Sequence, residues 1–197
     1  DAVFLLKRAM VLDPDNPVYI SDQAGLHANN VKELMTRRGR TDGNALFELK
    51  QSIACFDKAL SLGPNRIADL YAKGHLLTMV YPELIHKSDG AVDEDKHFWL
   101  QEGIKALEKL VNLWTGFKDY VEQERQLKNK YKKEYIRSLF YLGLAYDQLV
   151  AGDWLATDIY LGIYGRGTTG LAQDVAHAER ALHYFIDCWN AECETGC

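Results

Sequence analysis

The residues with the clearest chemical promise are GRGTTG, positions 165–170. They read G-x-G-x-x-G, a loop whose glycines let a backbone approach a pyrophosphate. DIYLGIY precedes them and can be read as a strand, and LAQDVAHAERALHYF follows and can be read as a helix. Asp187 stands 17 residues after Gly170, near the place where an acidic side chain would hold an adenosine ribose. Three features oppose a dinucleotide site. The upstream elements carry helical patterns, whereas such a site needs a parallel sheet. Only ten residues follow Asp187. Positions 171–192 run 22 residues without Gly, Pro or a turn cluster, so nothing separates a helix from a second strand. Within that run Ala178, Ala181, Leu182, Phe185 and Trp189 make one helical stripe. GRGTTG is therefore expected to be an inter-helix loop, with Thr168 or Thr169 capping the last helix. No cofactor is expected.

Other reactive residues are scattered. His27, His75, His86, His97, His177 and His183 belong to no H-E-x-x-H pattern, and no serine lies in G-x-S-x-G. Cys188, Cys193 and Cys197 crowd the C-terminus near His183, but spacings of five, five and four spread them around a helix. Reduced thiols are expected there, while spacing alone leaves bridged and metal-bound states open. Cys55 sits in an apolar helical pattern and reads as a buried thiol. Asp93, Glu94 and Asp95 lack the alternating ligands and fixed glycine of a calcium loop. No nucleophile–base pair emerges from spacing, so a non-catalytic chain is expected.

The elements that would position these residues are helical. The 197-residue chain has only four prolines and 15 glycines, leaving room for long helices. Apolar residues make up 47 % and charged residues 26 %, and net charge is −5. A surface for nucleic acid or anionic membrane needs a basic excess that is missing here. No apolar run approaches the ~20 residues that span a bilayer. The opening, DAVFLLKRAMVLDPDNP, reads like the second half of a helical unit. The chain is accordingly expected to be a segment of a longer, intracellular protein, cytoplasmic or nuclear.

A repeat shows through. Ala2, Leu6, Ala9 and Leu12 precede Asp13-Pro14, and Ser52, Phe56, Ala59 and Leu62 precede Gly63-Pro64. Both put small and large residues at helical spacing and stop at proline, which cannot continue the helix. Leu70-x2-Lys73-Gly74-x2-Leu77 follows the second proline, and Leu139-x2-Leu142-Gly143-x2-Tyr146 is a better copy. Glycine at such a position lets a neighbouring helix come close, and large residues three and four away fill the groove.

This pattern resembles the tetratricopeptide repeat, with its W-x2-L-G-x2-Y first helix and its A-x3-F second helix closed by proline. The prolines lie 50 residues apart where that repeat spaces them by 34, and Lys73 stands at a usual leucine. Surplus residues fall in TRRGRTDGNA (36–45), in VYPELIHKSDGAVDEDKH (80–97, a loop) and in FKDYVEQERQLKNKYKKEY (117–135, a charged helix leading into Ile136). Ala151 to Trp154 is expected to turn the chain after a helix ending near Val150.

The resemblance implies an all-α fold of antiparallel helix pairs stacked as a superhelical solenoid with long insertions. As one domain over 1–197, it would comprise the end of a truncated repeat (1–16), helix-pair units at 17–64, 65–115 and 136–165, and a C-terminal helix at 171–192. It also implies a protein-interaction scaffold whose groove holds a peptide or helix of a partner, or another part of its own longer chain. Groove positions carried over from the family are Ala68, Tyr71, Ala72, His75, Thr78 and Met79, then Arg137, Phe140, Tyr141, Leu144, Asp147 and Gln148. Tyr71, His75, Met79, Arg137, Phe140, Tyr141, Asp147 and Gln148 are the expected partner contacts. Members that clamp a C-terminal carboxylate use Lys and Asn at set positions, and here only Arg137 is basic among Ser21, Gly25, Ala72 and Tyr141. An apolar or helical ligand fits better. The competing reading is a small-ligand-binding helical accessory protein of a periplasmic transporter.

Overall fold

The structure is a computed structural model, and it describes residues 2–38, 43–87, 96–155 and 168–193. Among these there is no strand. The chain folds as α1 (Ala2–Leu12), α2 (Pro17–Arg38), α3 (Gly43–Leu62), α4 (Ile67–His75), a π-helical turn (Leu76–Val80) and α5 (Tyr81–Lys87). Then come α6 (Lys96–Gly116), α7 (Glu122–Lys130), α8 (Lys132–Leu155) and α9 (Thr168–Cys193). The all-α expectation is met. The chain divides into two compact units, Asp1–Leu113 and Trp114–Cys197.

Helices α1 and α3 stop one residue short of Asp13-Pro14 and Gly63-Pro64, and the two turns are built alike. The amides of Asp13 and Gly63 donate to the carbonyls of Ala9 and Ala59, each at 2.9 Å. Those of Asn16 and Arg66 donate to Asp13 and Gly63, each at 3.3 Å. Those of Ile20 and Leu70 donate to Asn16 and Arg66, at 3.2 and 3.0 Å. The same turn thus recurs at an offset of 50 residues. Asn16 caps α2 by accepting the Val18 amide at 3.0 Å, with Pro17 in the first helical position. At α4 the cap residue is Arg66, whose side chain pairs instead with buried Asp69 in the first turn.

In the first unit α2 and α3 run antiparallel. Their contacts march in opposite directions: the Ser52 hydroxyl donates to the Ala24 carbonyl at 2.8 Å, while Glu48 meets His27 at 2.8 Å and Asn30 at 2.9 Å. Ala24, Val31, Leu49, Ile53 and Phe56 join Leu77, Tyr81 and Leu84 in one core. Helices α4 and α6 meet at glycine. A Cβ on Gly74 would lie 2.4 Å from Leu107 Cδ2, and one on Gly103 would lie 2.8 Å from both Leu77 and Thr78. Lys73, which replaces a leucine of the repeat pattern, reaches Asp57 of α3 at 2.6 Å and Glu102 of α6 at 3.8 Å.

The structure corrects two expected breaks. Residues 80–87 are helical, not loop, because Tyr81 and Leu84 are drawn into the core. Pro82 brings no amide donor, and the π turn just before it widens the helix, with the Tyr81 amide donating back to Leu76. Helix α8 continues through Ala151 and Trp154 to Leu155, with no turn after Val150. The charged stretch 117–135 is divided: α7 and α8 are separated at Tyr131, which leaves helical geometry at φ −107° and ψ 16°. In α7, Glu122 and Glu124 occupy the first turn and Lys128 and Lys130 the last, matching the helix dipole.

Two stability outcomes follow. Gly74→Ala is expected to lose about 1–2 kcal/mol despite better helix propensity, because Leu107 is fully buried and cannot turn aside. Gly25→Ala, with nothing within 4 Å of its Cβ, is expected to gain up to about 1 kcal/mol. Urea midpoints of the two variants should therefore move in opposite directions. The second outcome concerns Glu48, whose carboxyl is held below its ordinary value of 4.5 by the hydrogen bond to His27, then by that to Asn30. A lowered folded value means the stabilisation is complete above 4.5 and disappears as pH falls through the folded value. Glu48→Gln should cost on the order of 0.5 kcal/mol in urea unfolding at neutral pH, and the difference should shrink progressively as pH falls below 4.5.

Candidate functional site

The expected groove residues of the first unit lie along the helix that runs from Ile67 to Lys87. Tyr71 and His75 stack on each other, 6.1 Å between ring centres and 14° between planes. Both are half-buried, as is Met79 in the π turn. Thr78 is fully buried and donates to the Gly74 carbonyl at 2.9 Å, so it is a packing residue with no groove surface to offer. Ala72 leans on the core and Ala68 is exposed.

In the second unit Arg137, Phe140 and Asp147 of α8 are exposed, and Tyr141, Leu144 and Gln148 are half-buried. Phe140 and Tyr141 lie 6.0 Å apart, ring to ring. Helices α8 and α9 run antiparallel, joined where a Cβ on Gly143 would come within 2.6 Å of the Phe185 ring. Toward one end of this pair Tyr146 stacks on Tyr184, and Arg180 sits over the Tyr146 ring while donating to its hydroxyl. Toward the other, the buried Cys188 thiol donates to the Ile136 carbonyl at 3.6 Å. Burial, then the charge of Glu192, pushes that thiol above its ordinary value.

Packing at Ala181, Phe185 and Cys188 decides which part of α9 meets solvent. Leu182, Ile186 and Trp189, at i, i+4 and i+7, form a rank 61 %, 49 % and 69 % exposed. The sequence stripe through Ala178, Ala181, Leu182, Phe185 and Trp189 is thus helical, but Ala178, Leu182 and Trp189 are exposed and not core. Phe140, itself 43 % exposed, contacts Phe185 at 6.0 Å and carries the apolar surface across to α8.

A cleft of about 460 Å³ lies elsewhere in the second unit, among the end of α6, α7, α8 and α9. The Trp114 and Tyr135 rings stack at 3.7 Å with planes 9° apart. Trp114 Nε1 donates to the Lys128 carbonyl at 3.0 Å. The Lys128 ammonium sits 5.0 Å above the Trp114 ring and 3.1 Å from an Asp119 oxygen. Asn129, Lys132, Asp187 and Asn190 complete the polar lining. The cleft is not legible in the sequence, since its residues come from separate elements and no spacing rule unites them.

Gly165, Arg166 and Gly167 lie outside the described residues, as do DIYLGIY and the end of the helix-pair unit expected at 136–165. Thr168 to Gly170 already belong to α9, which continues to Cys193. Asp187 is therefore a helical residue, paired with His183 at 3.2 Å. Among the described residues no group of three His, Cys, Asp or Glu side chains is placed to hold a metal ion. No described helix is long and apolar enough to cross a membrane.

A double-mutant cycle of Trp114→Ala and Tyr135→Ala should show a coupling of about 1 kcal/mol in chemical unfolding, the worth of a stacked aromatic pair beyond its buried area. Additive losses would mean that the stack contributes nothing as a pair.

Comparison of the chain with protein-family models, curated proteins and solved structures gives no match.

Proposed function

We propose that this chain is a non-catalytic interaction scaffold, a divergent helix-pair repeat of the tetratricopeptide kind with long insertions, that holds a helix or peptide of a protein partner within a larger assembly. The observation that carries this reading is the exposed apolar rank Leu182, Ile186 and Trp189, continued by Phe140 on the neighbouring helix. Contiguous apolar surface on a folded chain marks interaction sites, and tryptophan is among the residues that dominate binding energy. Anchors at helical spacing suit an amphipathic helix laid alongside. Arg137 and Asp147, exposed on the same helix as Phe140, supply a polar rim of both signs. The turn repeated at an offset of 50 residues and the antiparallel pairs α2–α3 and α8–α9 support the repeat architecture. Tyr71, His75 and Met79 offer a second, smaller surface on the first unit.

Affinity capture from cell extract, read by mass spectrometry, tests the reading. Wild type is compared with Phe140→Ser/Trp189→Ser after circular dichroism shows equal helicity. Proteins retained by the wild type are expected to fall at least about tenfold with the double variant, the equivalent of about 1.4 kcal/mol. Equal capture by both would remove the apolar rank as the binding surface.

A further inference from the structure

The α7–α8 junction reads KNKYKK, positions 128–133, on a chain of net charge −5. Lys128 is neutralised by Asp119. Among the described residues no carboxylate pairs with Lys130, Lys132 or Lys133. Of these three only Lys132 lines the cleft of the second unit, where it is half-buried; Lys133 beside it is exposed and lies outside the lining. Among the described residues Lys132 therefore has no carboxylate partner, and it lines the same cleft as the Trp114–Tyr135 slab. Asn129 from α7 and Asn190 from α9 line it too, and each amide can both donate and accept.

The geometry points to a docking site for an acidic segment of a protein partner: a carboxylate side chain on Lys132, an aromatic or aliphatic neighbour on the Trp114–Tyr135 slab, and backbone amides on Asn129 and Asn190. This rests on the scaffold reading and gives one of its surfaces a ligand chemistry. A peptide suits the cleft better than a nucleic acid. Asp119 and Asp187 also line it, and a strand with a phosphate at every step would be driven against them. A single acidic residue among neutral ones avoids that repulsion, and Asp187 can accept from a peptide amide. Asn190 lies one turn beyond Ile186 on α9, so the cleft opens beside the apolar rank, while Leu182 and Trp189 lie outside its lining.

The test is selection of short random-sequence peptides on the wild-type chain, with affinities then measured on Lys132→Glu and Lys133→Glu at matched helical content. The selected peptides are expected to carry Asp or Glu beside an aromatic or aliphatic residue. They should bind Lys132→Glu at least about tenfold more weakly, and Lys133→Glu within about twofold of wild type. Three results would overturn the proposal: no enrichment of acidic peptides, equal losses in the two variants, or competition by a single-stranded oligonucleotide as strong as that by the peptides. If the peptide result fails while capture through Phe140 and Trp189 persists, the cleft alone is withdrawn. If both fail, the scaffold reading falls as well.

Discussion

Close approach of helices at glycine is the constraint on which the rest of each unit depends. Gly74 and Gly103 leave no room for a Cβ against Leu107 and Leu77, and Gly143 leaves none against Phe185. Phe185 seated on Gly143, with Ala181 and Cys188 buried to one side of it, sets the rotation of α9 about its axis. Leu182, Ile186 and Trp189 lie to the other side of Phe185 and are turned toward solvent. The exposed apolar rank is thus a consequence of three contacts in the pair, combined with large apolar residues at positions where polar ones would be equally compatible with packing.

Two buried polar groups in the first unit do a related job, since each joins two elements. Ser52 ties α3 to the Ala24 carbonyl of α2, and Asp69 of α4 takes the Ser21 hydroxyl of α2 at 2.5 Å as well as Arg66 of its own turn. A buried carboxylate is tolerated when it is paired and hydrogen-bonded, and two partners meet that condition. Lys73 shows the same logic at a position where the repeat pattern has leucine. Its stem passes between elements, and its ammonium sits between acids of α3 and α6. An apolar side chain would contribute burial there, whereas lysine adds a direction, which helps to fix register among three helices.

What was legible in the residues follows from how local the cause is. Helix ends before Pro14 and Pro64 were legible because proline acts on its own neighbours. The helical character of 171–192 was legible because periodicity is a local pattern. The glycine pattern at Gly74 and Gly143 pointed to close helix approach, and the structure shows it. The helix over 80–87 was not legible, since Pro82 and the DGAVDEDKH run that follows read as loop. Burial of Tyr81 and Leu84 overrides that signal, and burial is decided by residues far away in sequence. For the same reason the stripe on α9 was seen but not its division into a buried and an exposed part, which depends on where Phe185 docks. The cleft was not legible at all, because Trp114, Lys128, Tyr135 and Asn190 share only a location.

The two surfaces of the second unit differ in the kind of discrimination that they can make. Apolar burial is non-directional, so Leu182, Ile186 and Trp189 reward any partner with matching shape. A half-buried lysine that lines one cleft with stacked rings and two amides is directional, and it penalises the wrong charge or an unpaired polar group more than it rewards the right one. On an acidic chain an acidic partner is held off by the field of the whole, except where cations such as Lys132 stand uncompensated. If the chain is the scaffold proposed, its affinity comes from the apolar rank and its choice of partner from the cleft.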